Sequence, residues 1–287
     1  MWINYDALIA GSTQNFILGL VGIGFQMSAS IDAAHELLHR PELGCRLVAY
    51  LTLISYQFTV YPVEHLYLHH KKVGTSEDPI TSPKNQSFYS YYVKAIYSAY
   101  KFNYNYNKKI FLGCVAATLG YHVFLASAAY LEGSGFGKYL FFALLSYFAL
   151  IVMEGVEYIE HYGLVYRKGE HDEKVTEICS WNTSTNALGN WLIFRFQRHS
   201  DHHMNAYKIY STLDLTDKMP QLPISFVEAV FLCLVPPLWK SLFNPLVDEV
   251  LEGKTLPKYA QFKIRVAASV IRGLLILNPL IALIKYL

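Results

Sequence analysis

The chain has 287 residues, of which 53% are hydrophobic and only 16% charged, with a net charge of +2. An ordinary soluble domain carries roughly 25% charged residues, so a water-soluble enzyme is not expected, and a disordered or fibrous chain is excluded. The near-neutral balance leaves no electrostatic footprint for nucleic acid, and the four separated cysteines (Cys45, Cys114, Cys179, Cys233) form no CxxC pair and read as buried small hydrophobes.

In chain order, the start MWINYDAL has neither the basic region nor the cleavage site of a signal peptide, so the first apolar stretch is read as part of the mature protein. A membrane-crossing helix needs about 20 mostly apolar residues. Residues 7–31 meet that without a single charge. Residues 47–63 are apolar but short, and Pro62 is expected to weaken their helical end; this segment is read as re-entrant or interfacial. From Lys71 to Lys109 the chain carries seven lysines against Glu77 and Asp78, interleaved with tyrosines. This predicts a loop on the cytosolic, matrix or stromal face with an interfacial aromatic belt.

Residues 110–131 and 139–153 are the next crossing candidates, joined by the glycine-rich turn EGSGFGK, Glu132 to Lys138. The second helix can run on past Glu154 and Glu157 where those carboxylates face protein. The runs 229–239 and 273–284 are short, and PPLW and NPL are expected to interrupt them, giving interfacial or partly inserted helices. The expected architecture is an all-α integral membrane protein, one domain over 1–287, with about three crossings.

Nine of the eleven histidines fall into four groups: His35 and His39; His65, His69 and His70; His161; and His199, His202 and His203. Histidines four apart lie on one helical face, so each group is expected to aim its ring nitrogens at a common point. Glu36, Glu64, Glu160 and Asp201 adjoin the groups. They suit a second layer, because a metal-bound histidine usually passes its other N–H to a carboxylate or carbonyl. His122 and His171 stand alone and read as structural. All four groups reach one membrane face if residues 41–63 leave and return on the same side.

Imidazole suits zinc, copper, iron and nickel. HELLH at His35 to His39 also matches the zinc-protease pattern HExxH, which leaves an intramembrane protease as a rival. A zinc protease takes three protein ligands, however, whereas nine imidazoles fit two metal ions, and two irons account for them better than two zincs.

The motifs HELLHR, EHLYLHHKKVGTSEDP, YIEHYGL, SWN (Ser180 to Asn182), FQRHSDHHMNAYKIY and PPLW before Asn244–Leu246 resemble, in order and spacing, the integral-membrane alkane 1-monooxygenases and their xylene monooxygenase relatives. Desaturases and sterol hydroxylases have HxxHH as the second box, whereas this chain has HxxxHH. The resemblance implies that His35, His39, His65, His69, His70, His161, His199, His202 and His203 bind two iron ions. It further implies hydroxylation of an alkyl or fatty acyl chain by O2, with two electrons from a rubredoxin-, ferredoxin- or cytochrome-like carrier, in a bacterial inner membrane or a mitochondrial or ER membrane. Leu38, Leu68, Glu157 and Lys208 depart from the family pattern without removing a ligand. A hydroxylase-derived structural subunit and a desaturase stay open as alternatives. The relatives have further helices before the first box, and the helix over 7–31 carries Ser12, Thr13, Gln14, Asn15, Gln26, Ser28 and Ser30. A second membrane polypeptide is therefore expected to dock along it.

Overall fold

The apolar runs are helical, and the described residues contain no strand beyond one isolated bridge between Asn182 and Gln221. The computed structural model describes residues 13–133, 135–166, 175–183 and 193–286. Its helices are α1 (Thr13–Leu38), α2 (Leu43–Ser55), α3 (Tyr61–Glu64), α4 (Phe88–Tyr106), α5 (Lys108–Leu131), α6 (Gly135–His161), α7 (His199–Met204), α8 (Phe226–Cys233), α9 (Pro236–Leu251) and α10 (Lys258–Tyr286). The chain divides into two compact units, one of residues 1–71 and 96–154, the other of residues 72–95 and 155–287.

In the first unit, Met27, Ile31 and Leu38 of α1 pack with Ala49 and Leu53 of α2, Cys114 and Leu125 of α5, and Phe141, Leu145 and Ala149 of α6. Gly24 permits the close approach of α1 to α6: a Cβ there would meet the Phe148 ring at 2.2 Å. Between α2 and α3 the chain turns through Gln57 at φ 59. Polar latches hold this turn, since Thr59 Oγ1 donates to the Cys114 carbonyl at 2.9 Å and Asn103 Nδ2 to the Val60 carbonyl at 2.8 Å. At about 1.5 Å per residue, α2 is far too short to cross a bilayer.

The second unit is built on stacked aromatics. Trp239 and Phe243 lie 3.7 Å apart at their centroids, with Tyr158 and Tyr162 against Trp239. Gly163, at φ +76, donates its N–H to the Ser82 carbonyl at 2.7 Å, and a Cβ would strike Val247 at 2.6 Å. Asp78 of the EDP motif accepts from the N–H groups of Ile80 and Thr81 and from the Thr81 hydroxyl, fixing the turn after the second histidine box.

Among the described residues, two helices, α5 and α6, are long and apolar enough to cross a membrane. On α5, Leu112, Leu119, Val123 and Phe124 face outward. The residues from 7 to 12 of the third expected span lie outside the described residues. Glu154, Glu157 and Glu160 are all buried, which is why α6 continues past them to His161. Cys114, Cys179 and Cys233 are buried, and Cys45 is half-buried.

The structure corrects several expectations. Pro62 does not weaken a helix but opens one, in the first turn of α3, where its missing N–H has no intrahelical use. PPLW does interrupt the apolar run over 229–239, as expected: α8 ends at Cys233 and Pro236 begins α9. The NPL sequence at Asn278 does not interrupt the C-terminal run, since α10 continues through it to Tyr286. Ser28 and Ser30 donate to the Phe25 and Met27 carbonyls at 2.8 Å within α1, and the side chains of residues 12–15 lie outside the described ones.

Candidate metal centre

Within the first unit, α1 delivers His35 in its last turn and His39 just beyond its end. Their partners come from the helix that starts at Tyr61. There the chain does not keep α winding, because His65–His69 is π-helical and passes into a final turn, His70–Lys72. The wider winding changes which histidines meet. His65 and His70, five apart, bring their Nε2 atoms to 3.0 Å, and His39 Nε2 lies 3.3 Å from His65 Nε2. The ligand atoms of His35, His39, His65 and His70 all fall within 4.8 Å of one another. His65 thus meets His70 across the π turn, while His69 is buried with its ring centroid 5.4 Å from that of His65.

His35, His39 and His65 are buried, and Tyr61 stacks on His65 at 4.7 Å. Burial, followed by the nearby His69, pushes His39 down to about 4. Burial, and then His70 and the other neighbouring imidazoles, hold His65 well below the ordinary histidine value. These rings are therefore neutral at physiological pH and offer lone pairs. Lone pairs facing each other at 3.0 to 3.3 Å repel unless a proton or cation lies between them. A soft-tolerant divalent metal satisfies that donor set.

In the second unit, His161 is the last residue of α6, and His199 and His203 lie one turn apart on α7. Their ligand atoms also fall within 4.8 Å of one another, with His199 and His203 Nε2 atoms 2.9 Å apart. His161 Nδ1 donates to the Cys179 carbonyl at 3.0 Å. That fixes the tautomer and leaves Nε2 as the lone-pair donor, the usual arrangement of a metal-ligating histidine. His202 is buried and stacks on His199, their ring centroids 5.5 Å apart.

Backbone hydrogen bonds hold the trio in place. A helix ends with unsatisfied carbonyls. At the end of α6 the Glu160 carbonyl accepts from the Trp181 N–H at 2.7 Å and from the Ser180 hydroxyl at 3.0 Å. Asn182 joins this segment to α7: its Nδ2 donates to Ser200 Oγ at 2.8 Å, and its Oδ1 accepts from the Ser200 N–H at 3.0 Å. The SWN motif is thus a clamp between α6 and α7.

The four flanking carboxylates take different places. Glu160 is buried with Oε2 3.4 Å from His199 Nε2, on the side of the ring that faces His203. Glu36 forms an ion pair with Arg40, so it is not placed as the base of a zinc protease. Asp201 accepts from Lys208 at 2.6 Å, Asn205 at 2.7 Å and the Asp214 N–H at 2.7 Å. Burial would raise its carboxyl, but these donors outweigh that and hold it below the usual carboxylate range. Glu64 is buried beside His65 in sequence. Of the solitary histidines, His122 lies 3.2 Å from Tyr139 Oη and outside both sets, while His171 lies outside the described residues. The Cys179 carbonyl is the element that side-chain reasoning missed.

Comparison with known proteins gives the same family as the motifs. The fatty acid desaturase family profile matches residues 12–223. Alkane 1-monooxygenase 2 of Alcanivorax borkumensis is 34% identical over 236 residues, covering 78% of this chain and 62% of the relative. Alkane 1-monooxygenase 1 of Pseudomonas aeruginosa is 33% identical over 267 residues, covering 87% and 68%. The hydroxylase component of xylene/toluene monooxygenase from Pseudomonas putida is 25% identical over 233 residues, covering 74% and 59%. The chain thus spans 59–68% of the length of these curated relatives.

Proposed function

The chain belongs to the fatty acid desaturase family and, within it, to the alkane 1-monooxygenases, and from that premise we propose that it is a membrane-embedded di-iron monooxygenase hydroxylating an alkyl or fatty acyl chain. The observation that carries this reading is the pair of convergent sets of imidazoles, a quartet in one unit and a trio in the other, all buried except the half-buried His70. With His69 and His202 they make up the nine proposed ligands, acting in one domain over the whole chain.

When bound, two irons supply the activation of O2: one oxygen atom enters a C–H bond, and the other leaves as water after uptake of two electrons and two protons. The chain's own residues do the rest. The Nε2 atoms of His39, His65 and His70 face inward as metal donors, and Tyr61 holds the His65 ring by stacking. The Cys179 carbonyl holds the Nδ1 proton of His161, so that this ring presents a single nitrogen. Burial of these side chains excludes water from the oxidant, and the apolar α5 and α6 hold the centre at a bilayer where alkyl chains dissolve. A separate one-electron carrier of rubredoxin, ferredoxin or cytochrome type is the reductant, and the basic, tyrosine-rich segment from Lys71 to Lys109 marks the cytosolic, matrix or stromal side.

Metal analysis combined with turnover tests the proposal. Purified protein should hold two irons per chain and convert an alkane or fatty acid to its alcohol with O2 and a reduced carrier. One metal per chain, or zinc in place of iron, would overturn the di-iron assignment. Two irons without any hydroxylated product would overturn the activity alone.

A further inference from the structure

On the second unit, α8, α9 and α10 enclose a groove of about 480 Å3. Phe231, Val235, Leu238, Val270, Ile271 and Leu274 line it, and no polar side chain is among its walls. Such a groove offers a ligand no hydrogen-bond anchor, so whatever fills it is hydrocarbon along its length. The adjoining surface of α10 is also apolar, with Tyr259, Phe262, Val266 and Val270 exposed at helical spacing.

The charge on α10 is one-signed. The helix carries Lys258, Lys263, Arg265, Arg272 and Lys285, with no aspartate or glutamate. Arg272 is committed to Glu228 at 2.6 Å, and the other oxygen of Glu228 closes the Ser225 capping box of α8. Lys263 is different. It shares a helical face with Ala267 and Val270, at i+4 and i+7, so it stands at one end of the groove. Its Nζ lies 4.4 Å from the Tyr259 ring, and among the described residues it has no carboxylate partner.

We propose that this groove is a lipid site, in which one acyl chain of an anionic phospholipid lies along Val270, Ile271 and Leu274 and its phosphate is held by Lys263. The length fits. From Lys263 to Leu274 the helix rises about 16 Å, and one leaflet of a bilayer's hydrocarbon core is about 15 Å thick. A ligand anionic at one end and hydrocarbon for the depth of one leaflet is a phospholipid, and the exposed apolar stripe of α10 keeps the groove open to the bilayer that supplies it. The inference rests on the chain being membrane-embedded and is independent of the metal centre.

The test uses the full chain in nanodiscs or mild detergent, with phosphatidylglycerol and phosphatidylcholine of identical acyl chains as probes. Retained lipid is measured by native mass spectrometry. The parent protein should retain the anionic lipid over the zwitterionic one by roughly fivefold, the effect of one lysine at a membrane surface. Lys263→Gln should abolish the preference without lowering phosphatidylcholine retention, and Val270→Trp, filling the groove at an exposed position, should lower retention of both. Equal retention of the two lipids by the parent, or a preference that survives Lys263→Gln, would overturn the site. So would displacement of phosphatidylglycerol by an equimolar free fatty acid, which would make the groove a fatty acid site. Iron content is read in the same samples and should not change in either variant, so failure of this inference and failure of the hydroxylase reading are separable.

Discussion

His65 and His70 face each other across five residues of π-wound backbone, their Nε2 atoms 3.0 Å apart. In an α-helix, residues five apart point in widely different directions, whereas the wider π turn superimposes them. The extra residue that makes this box HxxxHH is absorbed by that winding.

Register of the second box is therefore testable by changing its length. Deleting Leu68 leaves the two histidines four apart, which ordinary α winding aligns, so iron binding should persist. Inserting an alanine between Tyr67 and Leu68 sets them six apart, which neither winding aligns, and bound iron should fall by about half. Plasma emission measurement of iron per chain decides it. Loss in the deletion with retention in the insertion would contradict the π-helical account.

Replacement of His35 or His161 by alanine should lower iron occupancy and abolish hydroxylation. His122→Ala should do neither, because its ring meets Tyr139 and no other histidine. A His161→Ala protein with full iron content and full turnover would remove it from the ligand set.

Asn182→Ala should unfasten α7 from the segment that ends α6. It leaves the buried N–H and hydroxyl of Ser200 without their amide partner, a loss of about 2–3 kcal/mol. The expected readout is a lowered midpoint of thermal unfolding together with weakened iron retention. A variant as stable as the parent would show that the clamp is redundant.

At the contact of α1 with α6, Gly24→Ala should destabilise by about 1–3 kcal/mol through overpacking, since its Cβ has the Phe148 ring 2.2 Å away. Combining it with Phe148→Leu should recover part of that loss. A double-mutant cycle measures the coupling, and strict additivity would mean that the two positions do not compete for space.

Much of this arrangement is legible in the sequence, and what is not has definable physical causes. The long helices are carried by uninterrupted apolar runs, and the grouping of the nine histidines by their spacing. The partition within His65–His70 is hidden, because reading by period assumes 3.6 residues per turn. Asn278–Pro279 suggests a break, yet α10 continues through it, since a proline removes one hydrogen bond without dictating that the helix end. The Cys179 carbonyl is invisible for a simpler reason: any residue at that position would supply the same atom. Glu36 satisfies the zinc-protease pattern by type, but the i,i+4 spacing that aligns the histidines also gives it Arg40 as a neighbour.

The short link between α5 and α6 bears on how such a protein is made. Lys138, nearly inaccessible to solvent, forms an ion pair with Glu132 across the glycine-bearing turn. A hairpin threaded through a translocon must carry its tip to the far side, and lone charges in the membrane interior are opposed by about 2.5–3.5 kcal/mol each. If α5 and α6 cross as a hairpin, the paired Glu132 and Lys138 would present a smaller field to the lipid than either charge alone.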